Sequence, residues 1–138
     1  MRSLRVLARL MTGTTYAILG ADAAREPGAR VAQAAPLLDT LRSFGAPLPQ
    51  DNTVVVRLNG AAQAAAGAAL AAGVLRRPAA AVLLCSLIPT TVAGHAFWAV
   101  EDPTARKLQG VQFLKNVAMA GGLLFAVLDS PSRSGVTC

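Results

Sequence analysis

The chain has few of the residues from which active sites are usually built. Of its 138 residues, one is His, two are Cys and seven are Asp or Glu. Cys85 and Cys138 form no CxxC pair and belong to no set with metal-ligand spacing. One His also excludes bis-His haem ligation within a single chain. The sequence contains no nucleophile–His–acid set and no GxGxxG, so we predict no catalytic residue, no metal site and no intrinsic cofactor.

Charged residues are also scarce, and they are missing from three long runs. Residues 78–100 and 58–75 contain no Asp, Glu, Lys or Arg, and residues 111–128 contain only Lys115. About twenty helical residues, at ~1.5 Å each, cross the ~30 Å hydrocarbon core of a bilayer. Three such runs are difficult to hide in one small soluble core. The sequence therefore predicts an integral membrane protein.

The apolar runs and the turn residues between them predict the fold. We expect an all-α integral membrane four-helix up-down bundle that forms a single membrane domain over residues 1–138. The predicted spans are about 4–24, 53–75, 79–100 and 108–128. Residues 29–44 place apolar side chains at helical spacing among charged ones, which is typical of a short interfacial amphipathic helix. It would lie between spans 1 and 2.

The first segment and the orientation depend on arginines. Arg2, Arg5 and Arg9 precede a short apolar run that ends in small residues, a pattern that fits either a first membrane helix or a cleaved signal peptide. Arginines beside the first helix favour a cytoplasmic N-terminus, and an even number of spans places the C-terminus there too. The net charge of +6 is dispersed between apolar runs, which argues against a nucleic-acid partner.

Polar residues concentrate in one leaflet of the predicted bundle. They lie near the end of span 1, in the opening turns of spans 2 and 4, and in the last turns of span 3. Several share a helical face at a spacing of three or four residues. The predicted cluster comprises Asp22, Arg57, Asn59, Gln63, Thr91, His95, Gln112, Lys115 and Asn116.

Charges within a membrane are costly, about 2.5–3.5 kcal/mol each on insertion scales, so they usually pair or mark function. Three interpretations of this cluster stay open from the residues alone. It is a structural hydrogen-bond network, a site for a small molecule or a quinone headgroup, or a proton relay through His95.

Several motifs, in order along the chain, carry a family resemblance. They are GADA at 20–23, REPG at 25–28, VRLNGAAQ at 56–63, PTTVAGHAFW at 89–98 and QFLKN at 112–116. With these motifs the chain resembles the DoxX family of small four-helix bacterial membrane proteins. Its Ala, Arg and Gly content is similar to that of actinobacterial proteins. The resemblance implies four spans, a retained N-terminus and a bacterial inner (cytoplasmic) membrane.

The resemblance also implies a connection to redox chemistry. The family takes its name from a membrane subunit of a thiosulfate:quinone oxidoreductase, and some actinobacterial relatives are linked to assemblies with superoxide dismutase and a sulfurtransferase. We therefore expect an accessory or scaffold subunit of a membrane-associated redox or oxidative-stress complex. The alternatives are a quinone-binding small subunit and a small-solute binder or transporter, the latter only as a homo-oligomer.

Overall fold

The computed structural model describes residues 2–128, and all regular structure in that range is helical. It comprises α1 (Arg2–Arg25), α2 (Arg30–Ser43), α3 (Asn52–Ala72), α4 (Arg76–Gly94), a 3-10 helix (Phe97–Ala99) and α5 (Pro103–Leu128). The all-α prediction is confirmed for this part of the chain. The C-terminus, which we predicted to be cytoplasmic, and Cys138 lie outside the described residues.

Three segments are long and apolar enough to cross a membrane. They are Asn52–Ala72, Arg76–Ala99 and Pro103–Leu128, which correspond to the second, third and fourth predicted spans. In the third, the α-helix ends at Gly94 and a 3-10 helix completes the segment to Ala99, which agrees with the predicted span of 79–100. α1 also has sufficient length, but arginines and hydroxyl side chains lower its hydropathy. Its membrane crossing therefore stays a prediction.

α1 packs against α3 through glycines, with the two backbones in direct contact. Gly13 lies opposite Gly67, and Gly20 lies opposite Gly60. A Cβ added at Gly67 would lie 2.5 Å from the backbone nitrogen of Ala17, closer than side-chain carbons approach backbone atoms. Both helices repeat their glycine after seven residues, and the pairs match in reverse order. α1 and α3 therefore run antiparallel, at a separation that a larger residue would prevent.

The remaining neighbours follow from a short turn and from the contacts between helices. Gly73 ends α3 in the left-handed region (φ +78°), and the next helix begins three residues later, so α3 and α4 are antiparallel. α4 and α5 pack against each other and are also antiparallel, since their hydrogen-bonded side chains pair in reverse order. Residues from α1, α3, α4 and α5 share one apolar core: Tyr16, Ala66, Leu70, Ala79, Ala80, Leu83, Leu87 and Leu123.

These directions give the molecule two ends. The His95 end contains the C-termini of α1 and α4 and the N-termini of α3 and α5. The Arg9 end contains the opposite termini of the same helices. α2 connects α1 to α3 at the His95 end, where it contacts α3 and α4 and buries Leu38. The Arg42 guanidinium donates to Asp39 Oδ1 (2.9 Å) and to Asn52 Oδ1 (2.7 Å), and thereby ties α2 to the start of α3.

Much of the outer surface is apolar. Phe125 is 77% exposed, Ile18 69% and Leu114 67%, and many other large apolar side chains on α1, α4 and α5 are exposed. A soluble monomer rarely leaves contiguous apolar surface of this extent in water, whereas lipid tails solvate it without cost. The surface is that of a protein embedded in a bilayer.

Candidate functional site

Ser86 joins two of the predicted polar residues across the interface between α3 and α4. Gln63 Nε2 donates to Ser86 Oγ at 2.8 Å, and Ser86 Oγ donates to Asn59 Oδ1 at 2.6 Å. Asn59 and Gln63 are four residues apart, so both amides face α4. The Ser86 side chain is buried at 8% exposure, and its hydroxyl acts as both donor and acceptor. The three side chains form a chain of hydrogen bonds between two helices.

A second polar contact joins α4 to α5. Asn116 Nδ2 donates to Thr91 Oγ1 at 3.1 Å, and Thr91 Oγ1 donates to the Leu87 carbonyl at 2.7 Å. Thr91 is only 6% exposed, so its hydroxyl is satisfied entirely within the protein. The contact places the amide of α5 against the buried face of α4.

The third contact lies where α4 ends. The Nδ1 atom of His95 lies 2.8 Å from Gln109 Oε1 on α5, and the His95 backbone N–H donates to the Thr91 carbonyl at 3.0 Å. Because the amide oxygen accepts only, Nδ1 carries the proton of this bond. His95 is partly buried.

Three aromatic rings cluster just after the end of α4. Phe97 and Trp98 follow it in the 3-10 helix, and both contact Phe113 of α5. The ring centroids are 5.2–5.9 Å apart and all three pairs meet edge to face. Trp at the end of an apolar helix is typical of the membrane–water interface. These rings indicate that the His95 ends of α4 and α5 lie at one membrane–water interface.

The other predicted site residues are not brought into these contacts. Asp22 pairs with Arg30 of α2 at 2.7 Å, and both side chains are about half exposed. Within the described chain, Arg57, Gln112 and Lys115 make no hydrogen bond or ion pair, and the two cations are exposed. Among the described residues, the predicted polar side chains therefore form three contacts that join α3, α4 and α5, and one that joins α1 to α2. The hydrogen bonds do not link all of them into one cluster.

Two residues of these contacts, Ser86 and Gln109, were not predicted as site residues. The position of each on its helix could have indicated them. Ser86 is seven residues after Ala79, on the buried face of α4, and Gln109 is three residues before Gln112 on the same helix. Among the described residues, no group of three or more His, Cys, Asp or Glu side chains is arranged to hold a metal.

Comparison with known families decides the classification. The family model for DoxX matches residues 4–96, which is more than half of the chain. The chain belongs to the DoxX family. Together with the apolar helices, this makes it a multi-pass membrane protein embedded in a lipid bilayer. Neither the comparison with curated proteins nor that with solved structures finds a match.

The matched region of this DoxX protein includes only part of the polar contacts. Asn59, Gln63, Ser86, Thr91 and His95 lie within it. Gln109 and Asn116, which supply the α5 side of two contacts, lie beyond it, as does the QFLKN motif at 112–116.

Proposed function

We propose that this DoxX protein is an accessory or scaffold subunit of a membrane-associated redox or oxidative-stress complex. The observation that carries the proposal is the internal pairing of its polar side chains. The Ser86 and Thr91 hydroxyls each bond on both sides, to amides of α3 or α5 or to a backbone carbonyl. Groups used in this way hold helices together and are not available to a substrate.

The architecture that we propose for this role is a four-span up-down bundle. The antiparallel pairs α1–α3, α3–α4 and α4–α5 support that order. We place α2 at the interface, since it connects helices at the His95 end. With Arg5 and Arg9 at a cytoplasmic headgroup layer, the Arg9 end faces the cytoplasm of a bacterial inner membrane and the His95 end faces outward. The partners implied by the family resemblance are superoxide dismutase and a sulfurtransferase.

A quinone-binding subunit is the second candidate, and the His95 end favours it. His95 Nε2 makes no hydrogen bond with the described residues, and Arg57 and Lys115 are cations without a partner there. The three neighbouring rings provide an apolar, aromatic surface of the kind that a quinone ring packs against. In this alternative, Arg57 and Lys115 would donate to the carbonyl oxygens, and His95 would do so from Nε2 when both ring nitrogens carry a proton.

Purification from native membranes separates the two candidates. The tagged full chain is extracted in mild detergent, its co-eluting proteins are quantified by mass spectrometry, and quinone is extracted and counted per chain. We expect superoxide dismutase or a sulfurtransferase at a fixed ratio to the chain, with quinone no higher than in a tagged unrelated membrane protein. One quinone per chain with neither enzyme present would replace the proposal with the second candidate.

A further inference from the structure

A pocket opens at the Arg9 end, far from the polar contacts described above. Its volume is about 880 Å³, within the range of roughly 300–1,000 Å³ that small-molecule sites occupy. It lies between the N-termini of α1 and α4 and the C-termini of α3 and α5. Four arginines line it: Arg5, Arg9, Arg76 and Arg77. No described residue that lines the pocket is Asp or Glu.

Arg9 is held in the pocket without a protein partner. Within the described chain, neither Arg9 nor Arg76 makes a hydrogen bond or ion pair, and Arg9 Nε is also shielded from solvent. The Arg9 guanidinium lies over Gly73, where an added Cβ would approach Nη1 to 2.9 Å. A buried donor without an acceptor is costly. The shielded Nε does not itself face a ligand, but no described residue neutralises the charge of the Arg9 guanidinium, and this charge favours an anion in the pocket.

The N-terminus of α4 contributes to the same pocket. Leu75, Arg76, Arg77 and Pro78 form the pocket wall at this point, and no described side chain caps the helix. A helix of 19 residues presents the positive end of its dipole here. Pro78 has no N–H, so Arg76 and Arg77 are the residues of the first turn whose backbone N–H groups can contribute to binding an anion here, beside the arginine side chains.

The opposite wall of the pocket is apolar. It is formed by Leu70 and by residues of the last turns of α5, including Phe125 and Leu128. Phe125 and Leu128 are 77% and 64% exposed, on the surface that faces the bilayer. A ligand that fits both walls is an amphiphile with an anionic headgroup and an apolar tail.

We propose that this pocket binds an anionic glycerophospholipid. Its phosphate lies between Arg9, Arg76 and the N-terminus of α4, and its acyl chains run along Phe125 and Leu128. Arginine suits this role because its planar fork binds two phosphate oxygens at once. The pocket lies at the membrane end where the arginines meet the headgroup layer, so such a lipid reaches it without leaving the bilayer.

Native mass spectrometry of the delipidated full chain in detergent tests the proposal. Phosphatidylglycerol is titrated against phosphatidylcholine, which carries the same phosphate but no net charge. We expect phosphatidylglycerol to bind at one per chain and phosphatidylcholine to bind at least tenfold more weakly. Because a charge-assisted hydrogen bond is lost, Arg76→Gln should raise the Kd for phosphatidylglycerol by about tenfold.

Arg25→Gln is the matched control, since it removes one exposed arginine at the His95 end and should leave the Kd unchanged. Arg9→Gln should weaken binding as Arg76→Gln does. If Arg9→Gln does not fold, the exposed Arg76 still decides the test. Equal binding of the two lipids, or an unchanged Kd in Arg76→Gln, would overturn the proposal. If inorganic phosphate displaces phosphatidylglycerol when the two are at equal concentration, the pocket binds a free anion, and the proposal of a lipid ligand is overturned.

Discussion

The contact between α1 and α3 yields the sharpest prediction about stability. At Gly67 an added Cβ would lie 2.5 Å from the backbone nitrogen of Ala17 and 2.7 Å from the carbonyl oxygen of Gly13. Ordinary contact begins at 3.4 Å, so Gly67→Ala leaves a shortfall of about 0.9 Å. Both obstructing atoms belong to the backbone and cannot rotate away. The helices must therefore separate along their whole contact.

We expect Gly67→Ala to destabilise the protein by about 1–3 kcal/mol, which is typical of overpacking at a rigid contact. The measurement is thermal unfolding in detergent, followed by circular dichroism. Gly20→Ala should behave similarly, because its Cβ would meet the backbone nitrogen of Ala64 at 2.5 Å.

Gly121→Ala on α5 is the matched control. No atom lies within 4 Å of its added Cβ, so only helix propensity changes, by up to about 1 kcal/mol in favour of Ala. The Tm should stay the same or rise. If Gly67→Ala is tolerated as well as Gly121→Ala, the close packing of α1 on α3 is refuted.

Three further predictions concern single side chains. Ser86→Ala should lower stability by about 1 kcal/mol in detergent unfolding, because two amides lose their bridge, whereas Ser43→Ala on the exposed end of α2 should not. Tyr16→Phe should leave the Tm unchanged or raise it, since the buried Tyr16 hydroxyl has no hydrogen-bond partner among the described residues; a clear loss would reveal a partner. In a Cys138→Ser background, the exposed Cys85 of α4 should resist an impermeant maleimide in intact membranes, whereas a cysteine at Ser43 should react from the side that α2 faces. Rapid labelling of Cys85 would contradict a membrane location for α4.

The helices were largely predictable because charge and periodicity act locally. The boundaries of α1 and α2 differ from the predicted 4–24 and 29–44 by one or two residues. The spacing of Asn59 and Gln63 correctly placed both amides on one face. The end of α4 at Gly94 was not predicted. The sequence stays uncharged as far as Val100, so its hydropathy does not indicate that the α-helix ends six residues earlier.

The pairings between helices were less predictable, since they depend on which faces meet. Asp22 was assigned to a cluster with Arg57, but the turn at Gly28 (φ +48°) brings Arg30 within 2.7 Å of it instead. The glycines of α1 and α3 share a seven-residue spacing that is visible in the sequence. This spacing predicts a helix contact only if the two helices are known to be neighbours. The sequence does not indicate that, because two loops and a helix lie between them in the chain.

Our central proposal is that the polar side chains that join α3, α4 and α5 hold these helices together and do not bind a ligand. Asn116→Leu and His95→Phe test it most directly when unfolding and quinone content are measured on the same purified protein. Each variant removes one contact between α4 and α5, so we predict a lower Tm, by an amount set by roughly 0.6 kcal/mol per interhelical hydrogen bond. Bound quinone should stay at background in the variants and in the unaltered protein. An unchanged Tm together with the loss of a stoichiometric quinone would contradict the account.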